Sequence, residues 1–388
     1  MAFPTGWAHR VSITIAASDI DADLTDWTLV FDASFDSVLT QVNGPFDADG
    51  TRPSIDGGGD IRFSSDSAGN TQLPVDVRRW DTDNNPANAD CEVAVKIPTV
   101  SSSVDTTIYL WWGKSGETQP GAATTYGQYN AYDSDYELIY PLCENTGQRF
   151  DRTSNQETLT PNSNPSAVSG VVCDANSFDG NDDYLYSGTS NPIEGGNTYS
   201  IECWSRAPYA QNAAGGDDAA VVTLATAGET SDALGFWCDE VEGNSSRPRT
   251  VTWLVAGERI VSDSNEWTDD GWQFFAGTSS ATQLKLLIDG EEVTDSPSNA
   301  SISNTRANTR FVVGDWDFSA NRYTRTGEID ELRVSSAVRA NAWFKANYDN
   351  QRNKAGFLTW GTIQDVSGSD DLTATDLTAG APTLDTAT

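Results

Sequence analysis

The chain has 388 residues, with 57 acidic against 23 basic side chains and a formal net charge of −34. It is too long for one ordinary sandwich and comfortable for two. With no basic stripe, nucleic acid and anionic membrane surfaces are not expected as direct partners. Thirteen Trp, 12 Tyr and 14 Phe in a chain that is 37% hydrophobic suit the thin, aromatic cores of β-sandwiches.

The opening stretch, Met1 to Trp7, lacks the basic and apolar regions of a secretory leader. Either the protein is made without one, or the chain is a mature form whose leader has gone. No run of about 18 apolar residues offers a membrane span. Val11, Ile13 and Ile15 alternate with Ser12 and Thr14, which predicts a half-buried strand, and Trp27, Leu29 and Phe31 repeat the pattern. Further strands are predicted at 60–63, 74–80, 92–98 and 107–113, split by turn residues such as Ser67, Gly69 and Asn70. Cys91 shares a strand face with Val93, Val95 and Ile97. These segments form a first module over residues 1–114, and the Gly-, Thr- and Ala-rich stretch 115–128 reads as a linker. A second module is expected over 129–364, closed by a short helix from Ala340 to Tyr348 with Phe344 and Tyr348 on one face. Residues 365–388 are Thr-, Ala-, Asp- and Leu-rich without an aromatic. They are expected to form an extended arm that lies on a partner subunit through Leu372, Leu377 and Leu384.

Several runs carry a family resemblance. Gly6-Trp7-Ala8-His9-Arg10-Val11-Ser12-Ile13-Thr14-Ile15, Trp111-Trp112-Gly113 and Trp343-Phe344-Lys345-Ala346-Asn347-Tyr348-Asp349-Asn350-Gln351 resemble a β-sandwich family of unknown function that usually precedes a lectin-like module. Gly327-Glu328-Ile329-Asp330-Glu331-Leu332-Arg333-Val334 resembles that module, the concanavalin A-like or laminin G-like jelly roll. So do Phe178-Asp179-Gly180-Asn181-Asp182-Asp183-Tyr184, Tyr199-Ser200-Ile201-Glu202-Cys203-Trp204 and the stretches 272–276 and 284–290. The resemblance implies an all-β chain of two tandem sandwiches, of a kind found in tailed-phage and in archaeal or bacterial surface proteins.

The sharpest enzymatic reading concerns Glu328, Asp330 and Glu331. Jelly-roll glycosidases of the laminarinase type carry E-x-D-x-E or E-x-D-x-x-E on one strand, with the carboxylates on one face. Here Leu332 or Arg333 stands where the last acid is needed, and strict alternation sends Glu331 to the opposite face, so catalysis is not expected. His9 is the only histidine. It lies inside a strand pattern, which leaves nucleophilic triads and zinc without support.

Calcium is the expected cofactor, if any. Asp179, Asn181, Asp182 and Asp183 gather hard oxygens in one turn. Asp81, Asp83, Asn85 and Glu92 copy the spacing of an EF-hand loop but have Pro86 where Gly is needed. A glycan would be met by an exposed aromatic beside polar groups. Trp316 flanked by Asp315 and Asp317 is the first choice, ahead of Trp237, Trp253 and Trp267. With five cysteines at least one is unpaired; Cys143, Cys173, Cys203 and Cys238 could form two bridges, and free thiols are favoured.

The acidic, Lys-poor composition suits a saline, marine or halophilic setting, because the Debye length falls from about 8 Å at physiological salt to about 3 Å at 1 M. The expectation is a non-enzymatic virion structural protein, homo-oligomeric and held to other virion proteins by its arm. It would display a lectin-like module to a host surface or glycan. A secreted or surface polysaccharide-binding protein and a cryptic glycoside hydrolase are the alternatives.

Overall fold

The computed structural model describes residues 3–41, 44–45, 58–80, 91–144, 146–188, 198–207, 218–225, 234–239, 250–255, 258–262, 271–294, 296–299, 310–315 and 326–366. The arm residues Leu372, Leu377 and Leu384 lie outside them. The first module contributes β1 (His9–Ile15), β2 (Leu24–Asp32), β3 (Arg62–Ser64), β4 (Gln72–Leu73), β5 (Val75–Trp80), β6 (Cys91–Val100) and β7 (Thr106–Trp112). The second begins with β8 (Tyr136–Tyr140), β9 (Arg149–Phe150), β10 (Thr158–Asn162), β11 (Ser166–Ser169), β12 (Asp174–Asp179), β13 (Tyr184–Tyr186) and β14 (Tyr199–Arg206). It continues through β15 (Asp218–Ala225), β16 (Leu234–Asp239), β17 (Thr250–Val255), β18 (Glu258–Val261), β19 (Gln273–Ser280), β20 (Gln283–Ile288), β21 (Glu291–Glu292), β22 (Ser298–Asn299), β23 (Arg310–Val313) and β24 (Thr326–Ser335). Helix α1 (Asn341–Arg352), the short α2 (Lys354–Phe357), β25 (Leu358–Trp360) and β26 (Gln364–Asp365) close the chain.

The molecule is all-β in its layers, and its strands pair antiparallel throughout the described registers. In the first module one sheet runs β25-β1-β7-β3-β4 with β26 also on β1, and the facing sheet is β2-β6-β5. The alternation read at Val11, Ile13 and Ile15 is real, and these side chains are buried in the core between the two sheets. In the second module β18-β17-β16-β15-β23-β13-β10-β9 faces a sheet of order β11-β12-β24-β14-β19-β20-β21, with β8 also on β24 and β22 on β20. Its core gathers Phe178, Ile201, Trp253, Phe275, Ile329 and Leu332. Asp289 and Gly290, at φ 53° and 81°, turn β20 into β21. Both central positions of a two-residue type I′ turn need such angles.

The modules are not beads on a string. The apolar cluster of the first sandwich continues without a break into Tyr136, Ile139, Trp204, Phe274 and Trp343 of the second. Helix α1 lies against β2 and ties itself there through polar side chains. Trp27 Nε1 donates to Asn347 Oδ1 (2.7 Å), Val30 N donates to Asn350 Oδ1 (3.0 Å), and Asn350 Nδ2 donates back to the Val30 carbonyl (2.9 Å). Stretch 115–128 is laid on the first module: Tyr126 O accepts from Val75 N and Thr118 O accepts from Arg62 Nη2. After α1 the chain returns to its own beginning. Ile13 faces Trp360 and Ile15 faces Leu358 across β1–β25, and His9 faces Asp365 across β1–β26.

Candidate functional site

The strand that carries the glycosidase-like acids is β24, and its register decides their fate. Along β14, Glu202 faces Arg333 but Trp204 faces Asp330, so β24 holds one extra residue between them. That residue falls at Glu331–Leu332, and Glu331 sits at φ +48°, in the left-handed region. This is a β-bulge, which breaks the two-residue alternation. Ile329, Leu332 and Val334 consequently point into the second core. Asp330, Glu331 and Arg333 point the other way, toward the interface with the first sandwich, where Glu331 meets Arg78 of β5 while Asp330 and Arg333 keep partners in their own module. The expectation that Glu331 faces opposite to Asp330 is corrected by this bulge.

Glu331 accepts hydrogen bonds from Arg78 Nη1 of β5 and from Arg333 Nη2 (2.6 Å). The same Arg78 Nη1 donates to Glu92 of β6, and Arg78 Nε donates to Tyr132 Oη (3.0 Å). Tyr132 Oη donates to Asp76 Oδ2 (2.5 Å), which also accepts from Arg152 Nε (2.9 Å). On the far side Arg333 approaches Glu202 at 3.6 Å, and Glu202 accepts from Asn347 Nδ2 (2.8 Å) and Tyr136 Oη (3.2 Å). Asp330 Oδ2 accepts from the backbone N–H groups of Val171 (2.7 Å) and Val172 (3.1 Å). Asp76, Glu92, Glu202, Asp330, Glu331 and Arg333 are all buried to 3% exposure or less, and the side chain of Arg78 is fully buried.

Ionisation follows from this dryness. Burial pushes the Glu92 carboxyl up to about 8, against the pull of Arg78 and with the help of the Glu331 charge. Burial, then Glu331, also holds Asp330 well above the usual carboxylate range. For Glu331 burial opposes the charge, but Arg78 and Arg333 outweigh it and hold the group below that range. A buried carboxyl that stays protonated and one that stays charged beside it are what a site short of cations must contain.

Glu328, the remaining acid of the motif, lies beyond the interface. It accepts from Arg206 Nε at 2.8 Å, and the Arg206 guanidinium lies 4.9 Å from the Trp272 ring centre. Neither neighbouring acid of the motif is available to face it across a cleft: Asp330 is sealed under Val171 and Val172, and Glu331 is held by two guanidiniums.

The other sequence candidates are scattered. The carboxylate oxygens of Asp179, Asp182 and Asp183 lie within 4.8 Å of one another, and Asn181 caps the turn by donating N–H and Nδ2–H to Asp179. Hard oxygens so placed fit a calcium ion. Glu92 faces Arg78 at the module interface, while Asp81, Asp83 and Asn85 fall outside the described residues. Asp315 is fully buried, its carbonyl accepting from Thr223 Oγ1 (2.9 Å). Trp316, Asp317, Trp267 and the Trp237 side chain lie outside the described residues. Trp253 is a core residue with Nε1 donating to Thr278 O (3.1 Å). His9 stacks on Trp112 in its strand, and Cys91, Cys143, Cys173, Cys203 and Cys238 are free thiols.

Sequence reasoning missed Arg78, Arg333 and Glu202 as a group. A trace was there at Glu202, a charge set in the otherwise apolar run Ile201-Glu202-Cys203-Trp204, since such residues are almost never buried unless paired; Arg78 and Arg333 lie in strands with several other charges and do not stand out.

Residues 179–343 match the family model described as the concanavalin A-like lectin/glucanases superfamily. Among solved structures the chain is similar to domain 4 of AbnA, a GH43 extracellular arabinanase from Geobacillus stearothermophilus. The identity is 16% and the TM-score 0.41, over 54% of this chain and 97% of that one. It is also similar to the receptor-binding domain of botulinum neurotoxin C/D mosaic serotype (12% identity, TM-score 0.42, 56% of this chain and 51% of that). The binding domain of Paraclostridial Mosquitocidal Protein 1 is alike to the same degree (12%, 0.42, 55% and 52%). The chain thus spans about half the length of these two toxin domains. No curated protein matches it. The second sandwich, from its acidic turn at Asp179 to Trp343 in α1, is a lectin-like jelly roll of the concanavalin A-like superfamily.

Proposed function

We propose that this protein binds and displays rather than cleaves: a lectin-like jelly roll carried on a companion sandwich for attachment to a host surface or glycan, in the virion of a tailed virus. The observation that carries the non-enzymatic part is the fate of β24. A retaining or inverting glycosidase needs two carboxyl groups about 5–9.5 Å apart across an open site. In this chain Glu331 is spent on docking Arg78 of the first sandwich, and Asp330 is sealed under the backbone of Val171 and Val172. Glu328 keeps some exposure, 19%, but its one close partner is Arg206. The virion placement draws support from the strongly acidic composition and the Leu- and Thr-rich closing stretch.

Two measurements test the reading. Incubation with β-glucans and other polysaccharides releases no reducing sugar, and Glu328→Gln leaves glycan-array binding unchanged; sugar release abolished by that substitution would reinstate the hydrolase. Mass spectrometry of purified particles finds the chain at stoichiometric amounts. Its recovery only from cell surfaces or culture medium would favour the polysaccharide-binding alternative. Trp316→Ala is expected to lower binding to any array hit at least tenfold, as loss of a stacked ring does.

A further inference from the structure

The interface between the sandwiches holds more acid than base. Asp76, Glu92, Glu202, Asp330 and Glu331 supply five carboxyls, and among the described residues the guanidiniums in hydrogen-bond or ion-pair contact with them are Arg78, Arg152 and Arg333, with Asp330 touched by none of these. Glu92 and Glu331 come from different modules and meet the same Nη1 of Arg78. Two carboxylates cannot both stay charged at one dry nitrogen, so one keeps its proton. We propose that the Arg78–Glu92–Glu331–Arg333 cluster is a proton-operated latch between the two sandwiches, closed by a proton held between Glu92 and Glu331 and weakened as the medium turns alkaline.

The groups facing this proton come from every element packed around it. Arg78 and Asp76 lie on β5, Asp330, Glu331 and Arg333 on β24, and Glu202 on β14. Tyr132 and Arg152 stand on the flanking loops, and the Cys143 thiol is pushed up by burial and by Glu92. Tyr132 is held neutral well past the alkaline range, and the guanidiniums do not titrate. Undocked, Glu92 meets water and titrates as an ordinary glutamate; docked, it holds its proton to about pH 8. Docking therefore takes up a proton between those values. Its equilibrium constant falls about tenfold per pH unit across that window and is flat above it. Asp330 and Glu202, also pushed up by burial, act in the same sense.

Glu92→Gln mimics the protonated acid, its oxygen accepting from Arg78 and its nitrogen donating to Glu331. The test is amide hydrogen exchange of β6 and β24 in the full chain from about pH 6 to about pH 8, corrected for intrinsic base catalysis. The opening constant of the wild type is expected to rise about 50-fold more than that of Glu92→Gln over those two units, with the far-UV circular dichroism unchanged. Equal pH dependence in the two proteins overturns the latch, and so does loss of strand signal in step with exchange. Should Glu92→Gln fail to fold, the infrared band of a buried protonated carboxyl in the wild type decides. A band that weakens on passing pH 8 upholds the latch, and one that is absent at neutral pH or keeps its full strength across pH 8 overturns it.

Discussion

Glu331 is asked to do two incompatible things, adopt left-handed backbone angles and carry a buried charge, and it is held to both by its partners. A non-glycine residue at φ +48° is strained on its own. The pairings with Arg78 and Arg333 are what make the bulge worth keeping. Glu331→Ala would strip Arg333 of its closest counter-charge and leave Arg78 to Glu92 alone, and is expected to destabilise the protein by about 3–5 kcal/mol in urea unfolding. Glu331→Gln, which keeps the acceptor oxygen, should cost visibly less. Glu331→Gly relaxes the backbone but strips the charge, so it should fall with Ala and show that electrostatics outweigh strain.

At the scale of elements, α1 behaves as a wedge with polar teeth. Its helix buries Trp343 and Phe344 but also Asn347, Asn350 and Gln351, each matched to a specific donor or acceptor. Asn350 satisfies both backbone groups of Val30, so Asn350→Ala leaves a buried N–H and a buried carbonyl unpaired and is expected to cost about 2–6 kcal/mol, at about 1–3 per group. The loss should appear in the chemical denaturation midpoint with an unchanged slope.

Strand positions and the helix were legible from the sequence because a period of two, or of about four, survives in single residues such as Val11, Ile13 and Ile15. The bulge was not legible, since an inserted residue has no period of its own. Its one trace is the pair of successive acids, Asp330-Glu331, between Ile329 and Leu332. Nor could the sequence say which face of β24 would be covered: Arg78 is 253 residues from Glu331, and nothing local announces the meeting. The acidic turn at 179–183 could be read because its members are neighbours in the chain. Why Gly6 to Ile15 and Trp343 to Gln351 go together has a physical answer in the structure, since the chain downstream of the helix supplies the edge of the sheet that the first run begins.

On the scale of the molecule, the continuous apolar cluster and the buried ion network make two sandwiches into one cooperative body. A single urea transition is expected, not two. Truncation after Asn353 would remove Phe357, Leu358 and the strands paired to β1. At about 1.5–3 kcal/mol per buried side chain, those two residues alone represent about 3–6 kcal/mol. The truncated chain should therefore melt well below the full one, with its protection losses concentrated in β1 although the cut is at the opposite end of the sequence. If β1 kept its protection, the edge strands would be ornamental.

The pairing of β25 and β26 with β1 also bears on how the protein is born. A ribosome releases β1 more than 300 residues ahead of its edge partners, so that strand waits with one side bare through the intervening synthesis. Domains ordinarily settle in the order they emerge. This one cannot finish its first until its second is complete, which makes the nascent chain a client for holding factors and the emergence of β25 and β26 the moment at which the whole body closes.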